Sequence, residues 1–167
     1  RKLFDPADTL QAFASALKNG VDAVICTHVS NVFGYILPVE AIGALCHDYD
    51  VPFILDAAQS AGTLPVRMED LRTAFAAMPG HKGLLGPQGT GLLLCGRQPQ
   101  PLIYGGTGGQ SQLKGMPEEL PERLEAGTVN VPGAAGLTAG IRYLKNVGVE
   151  RIGRRERQAA AVTAAGL

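Results

Sequence analysis

The sequence predicts an α/β domain: a mostly parallel sheet flanked by helices. Two short, continuously apolar runs, VDAVICT from Val21 and VPFILD from Val51, read as strands. A helical pattern, PVEAIGALCHDY from Pro38, lies between them and makes the trio a βαβ unit. Each strand is followed by a polar or glycine-rich segment, where open parallel sheets present their ligand sites.

Taken in order, Asp5 and Pro6 form an N-cap and first-position pair, and Gly20 is the matching stop. DPADTLQAFASALKNG is therefore an amphipathic helix. VDAVICT follows as the first strand, Pro38 opens the second helix, and VPFILD has the continuous hydrophobicity of a strand buried on both faces. RMEDLRTA, from Arg67, predicts a third helix leading to a short strand near AFAAM. TGLLLC from Thr90 is a further strand whose direction the pattern leaves open. Beyond Leu102 the chain is loop-like as far as Gly133, and a loop of that length inside a domain is usually functional. Helices resume at AAGLTAGIRYLKNV and VERIGRRERQAAAV. No repeat or linker divides the chain.

The 167 residues are 46% hydrophobic and 18% charged, enough for one domain with a real core. Fifteen basic residues balance fifteen acidic ones, so no electrostatic footprint for nucleic acid or an anionic membrane appears. Arg151, Arg154, Arg155 and Arg157 are interleaved with acids and read as a solvated helix face. Cys26, Cys46 and Cys95 sit in or beside apolar runs without CxxC spacing, which predicts buried, reduced thiols in a cytoplasmic protein. No apolar run is long enough to span a bilayer. A start at Arg1 and an end in helical sequence lead us to expect a piece of a longer protein.

Three segments fall at the strand ends: THVSNVFG, DAAQSAG and GHKGLLGPQGTG. Each has a plain structural reading, with Asp56 capping a helix, Asn31 shaping a turn and Lys82 an exposed loop lysine. A phosphate-binding P-loop is excluded, because it requires Ser or Thr after the lysine and the chain has Gly83. Dinucleotide fingerprints starting at Gly89 or Gly106 fail at Leu94 and Ser111. The histidines and cysteines lack the spacing of a zinc site, so no metal is expected. A lysine amine can form a Schiff base, and pyridoxal phosphate chemistry also needs a carboxylate to keep the pyridine nitrogen protonated. Lys82 and Asp56 suit those two tasks.

With RLEAGTVNVPG from Arg123, these three segments resemble the class V aminotransferase superfamily of fold-type I pyridoxal phosphate enzymes, and its cysteine desulfurase-like branch in particular. The resemblance covers nearly the whole chain. It implies that residues 1–167 are the central part of the cofactor-binding large domain, with the family's N-terminal and C-terminal portions absent. It assigns Lys82 as the lysine that binds pyridoxal 5'-phosphate covalently and later moves the substrate's α-proton. Asp56 would pair with the pyridine nitrogen, Gln59 and Asn31 would sit near the ring's phenolic oxygen, and His81 would join the phosphate cup. Thr128 would reach the phosphate of a neighbouring subunit in a homodimer, whose active site the loop from Gly105 to Gln112 also completes.

Two positions depart from the family pattern. Pro79 stands where many relatives carry a phosphate-binding serine, and Ala74 where aspartate is frequent. The implied activity is conversion of cysteine to alanine with sulfur passed to an enzyme persulfide and onward to an acceptor protein. Other class V chemistries, such as an aminotransferase, selenocysteine lyase or β-eliminating lyase, and a non-catalytic remnant of the fold, are the alternatives. None of the three cysteines matches the desulfurase nucleophile, and the chain alone is expected to be inactive.

Overall fold

The computed structural model describes residues 4–108, 112 and 114–166. Helix α1 runs Pro6–Lys18, strand β1 Val24–Thr27, α2 Val39–Asp48 and β2 Phe53–Asp56. They are followed by α3 Met68–Leu71, β3 Phe75–Pro79, β4 Gly91–Cys95, α4 Val131–Val147 and α5 Val149–Ala165. Asp5 caps α1 as expected, its Oδ1 accepting from the amides of Ala7 (2.8 Å) and Asp8 (3.3 Å). Gly20, at φ 82°, ends it.

The four strands form one sheet in the order β1-β2-β3-β4. The first three are parallel, and β4 pairs antiparallel with β3, which settles the direction that the apolar run of TGLLLC could not show. The reason is local: the Gly80 amide donates to the Thr90 carbonyl at 2.7 Å, closing a hairpin that returns the chain beside β3.

Among the described residues, one face of the sheet is covered and the other is open. Val24, Cys26, Phe53, Leu55, Ala76 and Met78 face a core that includes Ile42 and Cys46 of α2 and Leu17 of α1. The alternate residues lie on an uncovered face, where Ile25 is 73% and Leu93 50% exposed. Helix α2 packs on β2 and against both α1 and α3. Gly43 allows the last contact, since a Cβ there would overlap the Leu71 carbonyl oxygen.

Two other boundaries differ from the sequence reading. Helix α3 is a single turn, because Arg72 adopts the left-handed conformation (φ 51°) and stops it. Helix α4 begins three residues before Ala134, since the Asn130 side chain caps it by accepting from the Gly133 amide at 3.0 Å. The long segment between β4 and α4 is fastened by Arg123. Its guanidinium donates to the carbonyls of Pro99 (2.9 Å) and Pro117 (3.4 Å) and to Gln100 Oε1 (3.1 Å). Among the described residues, no helix is long and apolar enough to cross a membrane.

The two faces of the sheet should respond differently to substitution. Leu55, wholly buried, is expected to cost about 2–5 kcal/mol on truncation to alanine. Ile25→Ser on the open face should change stability by no more than about 0.5 kcal/mol. Urea unfolding of the 1–167 polypeptide and its variants checks this, and equal losses at both positions would contradict the one-sided packing.

Candidate active site

The three parallel strands end at one edge of the sheet, and the register aligns Thr27 with Asp56 and Asp56 with Ala77 on the open face. Beyond β1 the backbone folds into a small closed loop. Val29 bridges Ile36, the Ser30 amide donates to the Tyr35 carbonyl at 2.9 Å, and Ser30 Oγ accepts from the Val32 (3.3 Å) and Phe33 (3.2 Å) amides. Asn31 is exposed at its turn.

His28 joins this loop to the next strand. Its amide donates to the Asp56 carbonyl and its own carbonyl accepts from the Leu37 amide, both at 2.9 Å. His28 is 7% exposed as a residue, and its buried Nδ1 has no hydrogen-bond partner among the described residues. Burial holds its pKa below the ordinary histidine value, with Glu40 opposing the shift. That His28 faces the same way as Cys26 on this strand is legible in the sequence, and both are buried; the backbone junction with Asp56 is not legible there.

Asp56 ends β2 with its side chain exposed. Oδ1 accepts from the Ala58 amide at 2.9 Å, an Asx-type turn that orients the carboxylate and leaves Oδ2 without a hydrogen-bond partner among the described residues. The turn that follows carries the half-buried Gln59, and is closed by the Ser60 (3.1 Å) and Ala61 (2.9 Å) amides donating to the Ala57 carbonyl.

His81 and Lys82 follow Gly80 at the end of β3, and both are exposed. The Lys82 ammonium has no ion pair among the described residues. Its loop is nonetheless tightly held: the Gly86 amide donates to the Gly80 carbonyl (2.7 Å), the Leu85 amide to the Lys82 carbonyl (2.9 Å) and Thr90 Oγ1 to the Pro87 carbonyl (2.6 Å). A backbone contact joins this loop to the Gln59 turn, because a Cβ on Gly62 would overlap the Gly83 carbonyl, and one on Gly83 the Ala61 carbonyl.

The structure thus brings the segments bearing Asn31, Asp56, Gln59, His81 and Lys82 to one edge. Thr128 lines an adjoining cleft, which shares Gly91–Leu93, Leu124 and Glu125 with the one that Asp56 lines. It is exposed on the wall of a 720 Å³ cleft with Thr90 and Asn130, whereas Asp56 lines an 840 Å³ cleft on the open sheet face with Ala77 and Leu124. Of the loop from Gly105 to Gln112, residues 109–111 lie outside the described residues.

The three cysteines are free thiols, and none is prepared for nucleophilic attack. Cys26 is pushed up to about 11 by burial, reinforced by Cys46 and Asp56, and burial raises Cys46 and Cys95 as well. Among the described residues no group of three or more His, Cys, Asp or Glu could hold a metal.

The family model described as Aminotransferase class-V matches residues 6–167. A protein named "Probable cysteine desulfurase" from Pyrococcus abyssi is 40% identical over 154 residues, which is 89% of this chain and 38% of that protein. Another of the same name, from Methanothermobacter thermautotrophicus, is 42% identical over 135 residues, covering 77% of this chain and 34% of that one. The apo structure of a cysteine desulfurase from Thermococcus onnurineus NA1 superposes with a TM-score of 0.82 at 41% identity, covering 95% of this chain and 41% of that chain. The chain therefore spans about two fifths of the length of such relatives.

The buried histidine gives the fold a pH dependence. An unfolded chain protonates His28 near its ordinary value while the folded one resists the proton, so stability should fall as pH drops below about 6.5. His28→Gln should flatten the slope of the thermal midpoint just below that pH. An unchanged slope in the variant would count against a buried neutral imidazole.

Proposed function

The chain belongs to the class V aminotransferase family, and on that premise we propose that the whole protein is a pyridoxal phosphate-dependent cysteine desulfurase. Residues 1–167 are the central part of its cofactor-binding domain. The observation that carries the reading is the presence at one sheet edge of an exposed lysine and an exposed carboxylate, the lysine without an ion pair and Oδ2 of the carboxylate without a hydrogen bond among the described residues. The names of the relatives at 40% and 42% identity direct the choice of substrate to cysteine.

The residues present fit the cofactor. The Lys82 loop is held through its backbone, so its amine is free to bind an aldehyde carbon covalently. Asp56 Oδ1 is fixed by the Ala58 amide while Oδ2 is available to hold a proton on the pyridine nitrogen by a charge-assisted hydrogen bond. Bound pyridoxal phosphate supplies an electron sink for the bonds at the substrate's α-carbon.

Around that group, Gln59 and Asn31 would donate to the phenolic oxygen and His81 would contribute to the phosphate cup. Pro79, without a hydroxyl or an amide hydrogen, leaves part of the phosphate grip to other residues. Lys82, once released from the cofactor by substrate, would take the proton from the α-carbon and return it as alanine forms. The thiol that accepts sulfur lies outside this chain, in keeping with the raised pKa of Cys26, Cys46 and Cys95. Thr128 would reach the phosphate of the neighbouring subunit in a homodimer, as the family resemblance implies. Cysteine is the substrate and a sulfur-acceptor protein the partner, and free thiols favour the cytoplasm as the compartment.

In the full-length protein, Lys82→Ala should abolish the visible absorbance of lysine-bound cofactor and the borohydride-trapped adduct on the peptide containing residue 82. A trapped adduct on another lysine would remove Lys82 from this role. Asp56→Asn should still bind cofactor yet turn over cysteine about 10²-fold more slowly, the order of loss when one preorganised electrostatic contact is deleted. Alanine release measured at wild-type rates would dismiss the pyridinium assignment.

A further inference from the structure

The Lys82 loop lies between two elements that meet it through glycines. On one side Gly83 rests on the Ala61–Gly62 backbone, with no room for a Cβ on either chain. On the other, Gly140 of α4 rests against the carbonyls of Leu84 and Leu85, where an added Cβ would again overlap backbone. The Ala61–Gly62 turn is itself backed by α5, because Gly153 packs on the Thr63 carbonyl in the same manner. At each of these contacts the receiving atoms are main chain, so there is no space for a side chain between the loop and either neighbour.

From this geometry, and resting on the functional reading above, we propose that Gly83 is a positioning residue for Lys82. Its missing side chain sets how closely the lysine's loop approaches the turn carrying Gln59, and so fixes the root of Lys82 relative to Gln59 and Asp56. Gly83 does not have a positive φ, so an alanine there is conformationally admissible and its effect is steric. Gly20 is the opposite case. It has φ 82° and nothing within 4 Å of a built Cβ, so alanine there adds backbone strain without a clash.

The test compares full-length wild type, Gly83→Ala and Gly20→Ala, reading the pyridoxal phosphate dissociation constant, the pH midpoint of the visible spectrum and the thermal midpoint. Gly83→Ala should weaken cofactor binding at least about tenfold and move the spectral midpoint, since a misplacement near 1 Å can cost about 10²-fold at a reacting centre. Gly20→Ala should lower only the thermal midpoint. If Gly83→Ala does not fold, Gly140→Ala carries the test from the α4 side and should move the spectrum too. Unmoved spectra and affinities in the glycine-loop variants, beside a normal wild type, overturn the proposal alone. A wild type that never forms the lysine-bound chromophore overturns the functional reading and the proposal with it.

Discussion

Everything at the carboxyl edge depends on strand register. Cys26, Leu55 and Ala76 are paired across the sheet on the covered face, and Thr27, Asp56 and Ala77 on the open one. Because side chains alternate, a slip of one residue in β2 would drive the Asp56 carboxylate into the core beside α2 and turn Leu55 out to solvent. A buried unpaired carboxylate is far costlier than an exposed leucine, so the register that the apolar residues favour is also the one that presents the acid. His28 reinforces it, since its amide takes the Asp56 carbonyl one step beyond the last pair of the ladder. Packing and chemistry are specified by the same alternation.

That alternation also explains what could be read in advance. Strands β1, β2 and β3, the start and end of α1, and the segments carrying Asn31, Asp56, Gln59, His81 and Lys82 follow from local signals: apolar runs, an Asp-Pro cap, glycine stops and polar strand ends. The direction of β4 was not legible, because it depends on a hydrogen bond between Gly80 and Thr90 that no periodicity announces. Ile25 and Ile54 make the runs look buried on both sides, yet nothing within the described residues covers Ile25. The tether of Arg123 to Pro99 and Pro117 joins residues distant in sequence through main-chain acceptors, which composition cannot reveal.

Family membership and the uncovered sheet belong to one account. The chain corresponds to about two fifths of relatives such as the Thermococcus onnurineus structure, yet within that span it keeps a helix-backed sheet face and a core that runs from Leu17 to Leu144. The packed face fixes the strands whose carboxyl ends carry Asp56 and the segments with Gln59 and Lys82.

The glycine contacts around the lysine loop have a consequence for how such a site can vary through evolution. Where a frame is held by side chains, each contact can be rebuilt by a compensating pair of substitutions. Here Gly62 meets Gly83, Gly140 meets Leu84 and Leu85, and Gly153 meets Thr63, with main chain on the receiving side each time. Main-chain atoms are common to every residue type, so the receiving side has no means of compensation. Drift is therefore confined to the side chains that project from the frame, and the positions least free to change are those that have no side chain at all.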